Sequence, residues 1–244
     1  MTTVNPQEDQ ESKSMSVFDE FCKEAQTTFK KAREEGVSIE EDFKAQQDLY
    51  QKFASKYDTY LSQDKTWRFQ EVRQEMEGII PDKTKALILD YGCATGTMAD
   101  YLVKEHGFKN IDGLEPNQGL FDTATAKGTM RHMFQIGSTD DHSQLGDKTY
   151  DVLFSAGVFF VSPSHPDLTC LRKLCGLVKK GGYILICSGE SYMKFVDMEP
   201  ANVLEKEGKI RIFPQRVFEG YRRATPQEEG EFVNGVMLKY QVLC

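Results

Sequence analysis

Residues 86–96 read Ala-Leu-Ile-Leu-Asp-Tyr-Gly-Cys-Ala-Thr-Gly: an apolar run, an acidic residue, then a turn with two glycines. An amphipathic stretch, Thr97 to His106, follows directly, and Gly107 stands where a helix C-cap is expected. A buried strand passing through a tight glycine turn into a helix is how an open α/β sheet turns backbone N–H groups toward a nucleotide-like ligand. One βα unit later, Asn110-Ile-Asp-Gly-Leu-Glu-Pro-Asn117 predicts a second strand ending in Glu115. A carboxylate there can accept hydrogen bonds from both hydroxyls of a ribose.

The turn itself selects among such ligands. A dinucleotide site wants Gly-x-Gly-x-x-Gly, whose middle glycine lets the backbone approach a pyrophosphate. Here the run is Gly92-Cys93-Ala94-Thr95-Gly96-Thr97, with Ala94 and Thr97 where two of those glycines would be. Asp90, two places before Gly92, would repel phosphate but attract a ligand carrying ammonium and sulfonium groups. S-adenosylmethionine (SAM) has both cations and no phosphate, so the turn suits SAM better than NAD.

Asp90-Tyr-Gly-Cys-Ala-Thr-Gly96 resembles the first motif of the class I SAM-dependent methyltransferases, and Leu114-Glu115-Pro-Asn-Gln-Gly-Leu120 resembles their second. Tyr150 to Gly157 resembles the fourth strand and its opening loop. Leu171 to Gly182 followed by Tyr183 to Cys187 resembles the helix, glycine pair and fifth strand. The resemblance runs in order over roughly residues 48–190 and is nearest to the methyltransferase-like proteins of the Williams–Beuren region. It implies an α/β, Rossmann-like, seven-stranded and mostly parallel sheet. The last strand or strands would be antiparallel, with helices on both faces and an N-terminal helical extension.

The same resemblance implies site residues. Gly92, Cys93, Ala94 and Gly96 would face the cofactor through their backbone, with Ala94 a mild change from glycine if its φ is negative. Asp90 is expected at the methionine ammonium, or alternatively as a helix cap, and Glu115 on the ribose hydroxyls. Pro116 and Asn117 would shape the adenine side, unless Asn117 is a plain N-cap. Ser138 occupies the place where relatives carry an aspartate toward the adenine amino group. Ser155, with Ala156 and Gly157, ends the fourth strand at the sheet's carboxyl edge. Tyr57 resembles a lid tyrosine, with helix packing as its alternative role. Of Phe159 and Phe160, one is expected to face core and one a substrate pocket. His165 in Ser-Pro-Ser-His-Pro is the candidate catalytic residue, as a general base, against the plainer reading of a solvated loop histidine. Residues 155–161 lack the Asn/Asp-Pro-Pro-Tyr/Phe motif used on adenine or amide nitrogens, which argues against those acceptors.

The 244 residues carry a net charge of −8, and Lys and Arg are scattered. Even Lys30-Lys31-Ala-Arg33 runs straight into Glu34-Glu35. Without a basic stripe, nucleic acid is disfavoured as a substrate. The six cysteines include no Cys-x-x-Cys pair and the four histidines are dispersed, so neither a metal site nor a disulfide framework is expected. The polar, acidic start has no signal-peptide apolar region, and the chain has no 18-residue apolar run. A cytoplasmic protein is expected, with the nucleus also open.

Along the chain, residues 1–14 are expected to be a disordered tail, 15–80 a helical extension or lid, and 81–244 the SAM-binding domain. Helices are predicted over 17–36, 48–58 and 66–78. Then come strand 86–91, helix 97–106, strand 110–115, helix 117–127, a strand near 131–136, strand 150–156, helix 166–179 and strand 183–188. In the tail, a helix is predicted over 193–206, a strand over 209–218, and a hairpin turning at Asn234-Gly235. The function these features suit is methyl transfer from SAM to a small molecule or protein side chain. A SAM-fold binding or scaffold protein without turnover is the alternative, and an NAD-linked oxidoreductase is opposed by Asp90 and the missing glycines.

Overall fold

Apolar side chains along the central strands alternate between two buried faces, so each strand needs cover on both sides. Ile88, Val152 and Phe154 fall in one core, while Leu89, Tyr91 and Leu153 fall in the other. The computed structural model describes residues 15–64, 67–137, 140–147, 149–160, 162–225 and 228–244, without the side chain of Arg33. The expected tail over 1–14 lies outside the described residues.

Four helices come first: α1 (Val17–Glu35), α2 (Ile39–Phe53), α3 (Tyr57–Asp64) and α4 (Arg68–Ile79). Alternating elements follow: β1 (Leu87–Tyr91), α5 (Thr97–Asp100), β2 (Asn110–Leu114), α6 (Gln118–Lys127), β3 (Met133–Phe134), β4 (Tyr150–Ala156), α7 (Leu171–Leu177) and β5 (Val178–Gly189). The chain closes with α8 (Glu199–Lys206), β6 (Ile210–Ile212), β7 (Arg216–Arg223) and β8 (Phe232–Val242). The sheet order is β3-β2-β1-β4-β5-β8-β6, with β7 also paired to β8. β1 to β5 pair in parallel and β8 runs antiparallel to its neighbours. Val72 and Met76 of α4 pack on one face with Met98 and Leu102, and Leu171, Leu174 and Leu204 of α7 and α8 pack on the other.

The strand expected over 209–218 is two strands. Ile210–Ile212 pairs with the C-terminal half of β8 and Arg216–Arg223 with its N-terminal half, so together they fill one sheet position. Pro214, which has no N–H for a ladder, lies in the break between them. The eight strands therefore occupy the seven positions expected.

No hairpin turns at Asn234-Gly235; β8 passes straight through. A two-residue turn there would need positive φ at both positions, but Gly235 keeps extended backbone and pairs with Gly189. The glycine serves a close approach instead, since a Cβ on it would fall 2.3 Å from Cζ of Phe218. The helices expected over 166–179 and 193–206 both start late, because each is preceded by a short 3-10 turn, Leu168–Cys170 and Glu190–Lys194. The strand expected near 131–136 is only Met133–Phe134.

The helix expected from residue 48 begins nine residues earlier. Ser38 and Glu41 form a reciprocal capping box, in which the Ser38 hydroxyl accepts from the Glu41 N–H and the Glu41 carboxylate accepts from the Ser38 N–H. The helical segment also divides by packing. Phe18, Phe21, Leu49, Phe53 and Tyr60 of α1 to α3 form their own core, whereas α4 belongs to the sheet layer. Arg223 of β7 ties that helical core to the sheet, with its guanidinium 4.2 Å from the Phe18 ring centre and 2.7 Å from Asp19 Oδ1.

Candidate active site

The sheet reverses its strand order between β1 and β4, and the site lies outside the carboxyl ends of those strands. After Tyr91 the chain turns at once. The Gly92 and Cys93 N–H groups both donate to the Leu114 carbonyl, at 2.9 Å each, which pins the turn to the end of β2. Three residues of the loop have positive φ: Gly92 (81°), Ala94 (49°) and Gly96 (76°). At Gly92 the requirement is doubled, since a Cβ would sit 2.3 Å from Val158 Cγ2. The condition set for Ala94 is not met, because its φ is positive and a residue with a Cβ sits in a strained conformation.

Glu115 holds that conformation. Its Oε2 accepts from the Ala94 N–H at 3.0 Å and its Oε1 from the Asn117 N–H at 2.9 Å. The side chain is 6% exposed. Burial raises its pKa to about 7, against the pull of the Asn117 and Ala94 amides. Two of the carboxylate's lone-pair directions remain for a ligand. Asp90, 2% exposed, has an Oδ2 with no hydrogen-bond partner among the described residues. Burial, with the charge of Glu115 adding to it, holds its carboxyl well above the ordinary range. A buried, unpartnered acid beside a second buried acid leaves a deficit that a cationic ligand rich in hydroxyl and ammonium donors would fill.

A pocket of about 110 Å³ borders Gly92, Ala94, Glu115, Pro116 and Tyr57. Gly96 is not on its wall; it begins α5 with its backbone against Ala124 and the tip of Met130. Cys93 turns its sulfur under β2, where a Cβ on Gly113 would come within 2.9 Å of it, and its thiol donates to the Ala94 carbonyl at 3.7 Å. Asn117 caps α6, accepting from the Leu120 N–H at 3.1 Å, and donates to Gln47 of α2. The Ser155 hydroxyl donates to the Tyr91 carbonyl at 2.9 Å, bracing β1 against β4, and is not on the wall of this pocket. Ser138 lies outside the described residues.

The N-terminal helices cover this pocket. Asp58 of α3 accepts from the Thr95 and Thr97 hydroxyls at 2.5 and 2.8 Å and pairs with Lys127 Nζ at 2.7 Å. Burial opposes the Asp58 charge, but these donors outweigh it and hold the carboxyl below its usual range. Its neighbour Tyr57 borders the pocket and packs against Tyr60 and Phe21, with ring centres 5.2 and 5.9 Å apart. Tyr57 therefore both packs the helices and walls the pocket.

A second cavity, about 960 Å³, adjoins the first. The two share Tyr50, Tyr57, Ala156, Gly157 and His165 as wall. Its wall is mixed: Phe21, Phe29, Tyr60, Phe160 and Tyr221 line it together with Arg68, Arg222, Glu190 and Glu228. Phe159 is buried in the core, while Phe160, 38% exposed, faces this cavity. His165 lies at the junction with its ring edge-on to Phe29 and Phe160, and burial pushes its imidazole down to about 4. Sequence reasoning missed the contributions of Asp42, Gln46, Gln47 and Tyr50, all on α2. The available signal was the Ser38-x-x-Glu41 capping box, which starts the helix that carries them.

Residues 88–182 match a family described as a methyltransferase domain. Trans-aconitate 2-methyltransferase of Deinococcus radiodurans is 24% identical over 127 residues, which are 50% of this chain and 47% of that protein. The chain thus spans about half the length of the curated relative it matches. Among solved structures, a chain from the complex between the Haloferax volcanii Trm112 methyltransferase activator and a methyltransferase superposes with a TM-score of 0.59. It is 13% identical, and the match covers 81% of this chain and 97% of that one. A TehB-like SAM-dependent methyltransferase from Corynebacterium glutamicum gives 0.54 at 19% identity, covering 79% and 97%. These matches support the class and leave the narrower Williams–Beuren-type likeness as a reading of the sequence. Residues 88–182 thus match a methyltransferase domain, and the chain shares its fold with SAM-dependent methyltransferases.

Proposed function

We propose that this protein transfers the methyl group of SAM to a small-molecule acceptor held in the larger cavity. The observation that carries the reading is the shared wall. A pocket walled by the buried Glu115 opens, across Tyr57, Gly157 and His165, onto a larger space lined by aromatic and charged side chains. SAM supplies an electrophilic methyl group on a sulfonium when bound. Glu115 would hold its ribose hydroxyls and Asp90 its ammonium, directly or through water. The backbone of Gly92 and Ala94, which borders the pocket, would lie along its methionine and ribose portions. Pro116 would border the adenine, and Tyr57 would close over the whole. The chain's own contribution is to orient the acceptor in line with the methyl group and to exclude water, where most of the barrier reduction in such transfers arises.

A small acceptor is preferred to a protein side chain because α1 to α3 roof the cavity with aromatic rings. The Deinococcus relative is named for trans-aconitate, itself a small molecule. Incubating the full chain with methyl-labelled SAM and a cell extract, then separating macromolecules from small solutes, tests the reading. Label in the small-solute fraction that disappears with Glu115→Ala supports it. Label confined to protein moves the acceptor class, and no label with intact SAM binding favours a scaffold.

A further inference from the structure

His165 is held by a hydrogen-bonded relay that links the loop after β4 to α2. Its Nδ1 lies 2.9 Å from the Ser162 hydroxyl oxygen. That hydroxyl lies 2.8 Å from Asp42 Oδ2 and accepts from Gln46 Nε2 at 2.8 Å. Asp42 is 1% exposed, and its Oδ2 also accepts from Gln46 Nε2 at 2.8 Å and from the Ser164 N–H and hydroxyl at 2.9 and 2.7 Å. Burial alone would raise the Asp42 pKa, but the donors from Ser164, Ser162 and Gln46 prevail, hold it below its usual range and keep the group an acceptor-only carboxylate.

The proton count then fixes the histidine. Ser162 has one hydroxyl hydrogen, and Asp42 can only accept, so that hydrogen goes to Asp42. The two remaining lone pairs of Ser162 receive Gln46 and His165, so Nδ1 must carry a hydrogen. Nε2, on the opposite edge of the ring, is left with a free lone pair. The ring borders both the loop-side pocket and the aromatic cavity.

We propose that His165, oriented by Ser162 and Asp42, is the general base of this enzyme, and that its acceptors are small planar molecules bearing a hydroxyl on an aromatic ring. The proposal rests on the methyl-transfer reading above. As the acceptor oxygen's lone pair forms the new O–C bond, the C–S bond pair returns to sulfur and the hydroxyl proton passes to Nε2. One positive charge is thereby moved from sulfur to imidazole, and water later takes the proton. A histidine kept neutral beside a cation, and free to charge only as that cation disappears, suits this exchange. The aromatic walls suit a flat acceptor body through offset and edge-on ring contacts. Ser162 and Asp42 are positioning residues: they fix the tautomer and the ring angle and touch no reacting atom.

The tautomer can be read without cofactor or acceptor. In full-length protein labelled with nitrogen-15 at histidine, His165 is expected as the Nδ1–H form at neutral pH, and Ser162→Ala is expected to shift it toward Nε2–H. An Nε2–H tautomer in the wild type overturns the proposal outright. The second readout is SAM-dependent methylation of phenol, catechol and 4-nitrophenol, the last largely ionised at pH 8. His165→Gln is compared with the wild type at saturating SAM, because His165 also walls the cofactor pocket. It should lose about 100-fold or more in kcat on phenol and catechol but far less on 4-nitrophenol. Equal loss on all three, or no loss on any, overturns a base role. Failure of the wild type to bind SAM sinks the methyl-transfer reading instead, and the tautomer result identifies which of the two has failed.

Discussion

The Ala94 amide donates to Glu115 Oε2 at 3.0 Å, so the strained loop after β1 and the acidic end of β2 are one mechanical unit. Neither half is stable without the other: the loop needs an acceptor at that point, and the buried carboxylate needs donors.

Glu115→Ala therefore removes both the ribose partner and the loop's anchor. SAM affinity is expected to fall by about 100-fold or more, the equivalent of losing two hydrogen bonds to a charged group. Titration calorimetry of variant and wild type checks this, and unchanged affinity would refute the assignment of Glu115.

The pH dependence of that carboxylate has a definite sign. Its pKa is about 7 in the folded chain against 4.5 for an ordinary glutamate. The folded state keeps a proton that the unfolded state has lost, so Glu115 makes folding less favourable as pH rises from 4.5 to 7, with no further change above. Relative to wild type, Glu115→Gln is expected to gain on the order of 3 kcal/mol of stability across that window. Urea unfolding at pH 4.5 and 8 measures it. SAM binding should also release up to about half a proton at pH 7, read from calorimetry in buffers of different ionisation enthalpy.

Asp58 fastens the helical roof to the loop through Thr95, Thr97 and Lys127. Asp58→Ala is expected to cost about 1–2 kcal/mol of stability. It should also weaken SAM binding and speed proteolysis within α1 to α3, while the sheet core resists. Unaltered cleavage of those helices would show that the latch is not what holds the roof down.

At Ala94 the usual penalty of glycine reverses. Relief of a positive-φ alanine, about 1–2 kcal/mol, outweighs the added freedom of the unfolded chain, about 0.4–1 kcal/mol. Ala94→Gly is expected to leave Tm unchanged or slightly higher. By contrast, Gly235→Ala, forced against the Phe218 ring, should destabilise by about 1–3 kcal/mol. Thermal unfolding of the two variants side by side gives the comparison.

The parallel half of the sheet was legible in the sequence because β1, β4 and β5 carry apolar runs (Leu87 to Leu89, Val152 to Phe154, Ile184 to Cys187), while β2 was legible from its place one βα unit after β1. The turn after β1 was legible because Gly92 and Gly96 directly follow an apolar run, and the end of β2 because Glu115 closes the next βα unit. The C-terminal strands were less so: Pro214 splits what reads as one strand, and Gly235 serves a ring contact that a turn motif imitates. The roof was the least legible. Asp42 and Gln46 sit at helical spacing on the buried face of α2, where polar residues read as solvent-facing. Their partners Ser162 and His165 are more than a hundred residues away, and only the folded chain brings them together.

The most direct test of the account is a calorimetric titration of the full chain with SAM at pH 7.5, with NADH run alongside. Micromolar SAM binding with no NADH binding is the expected result. NADH binding, or the absence of SAM binding by a correctly folded chain, would contradict the assignment of the pocket formed by Gly92, Ala94 and Glu115.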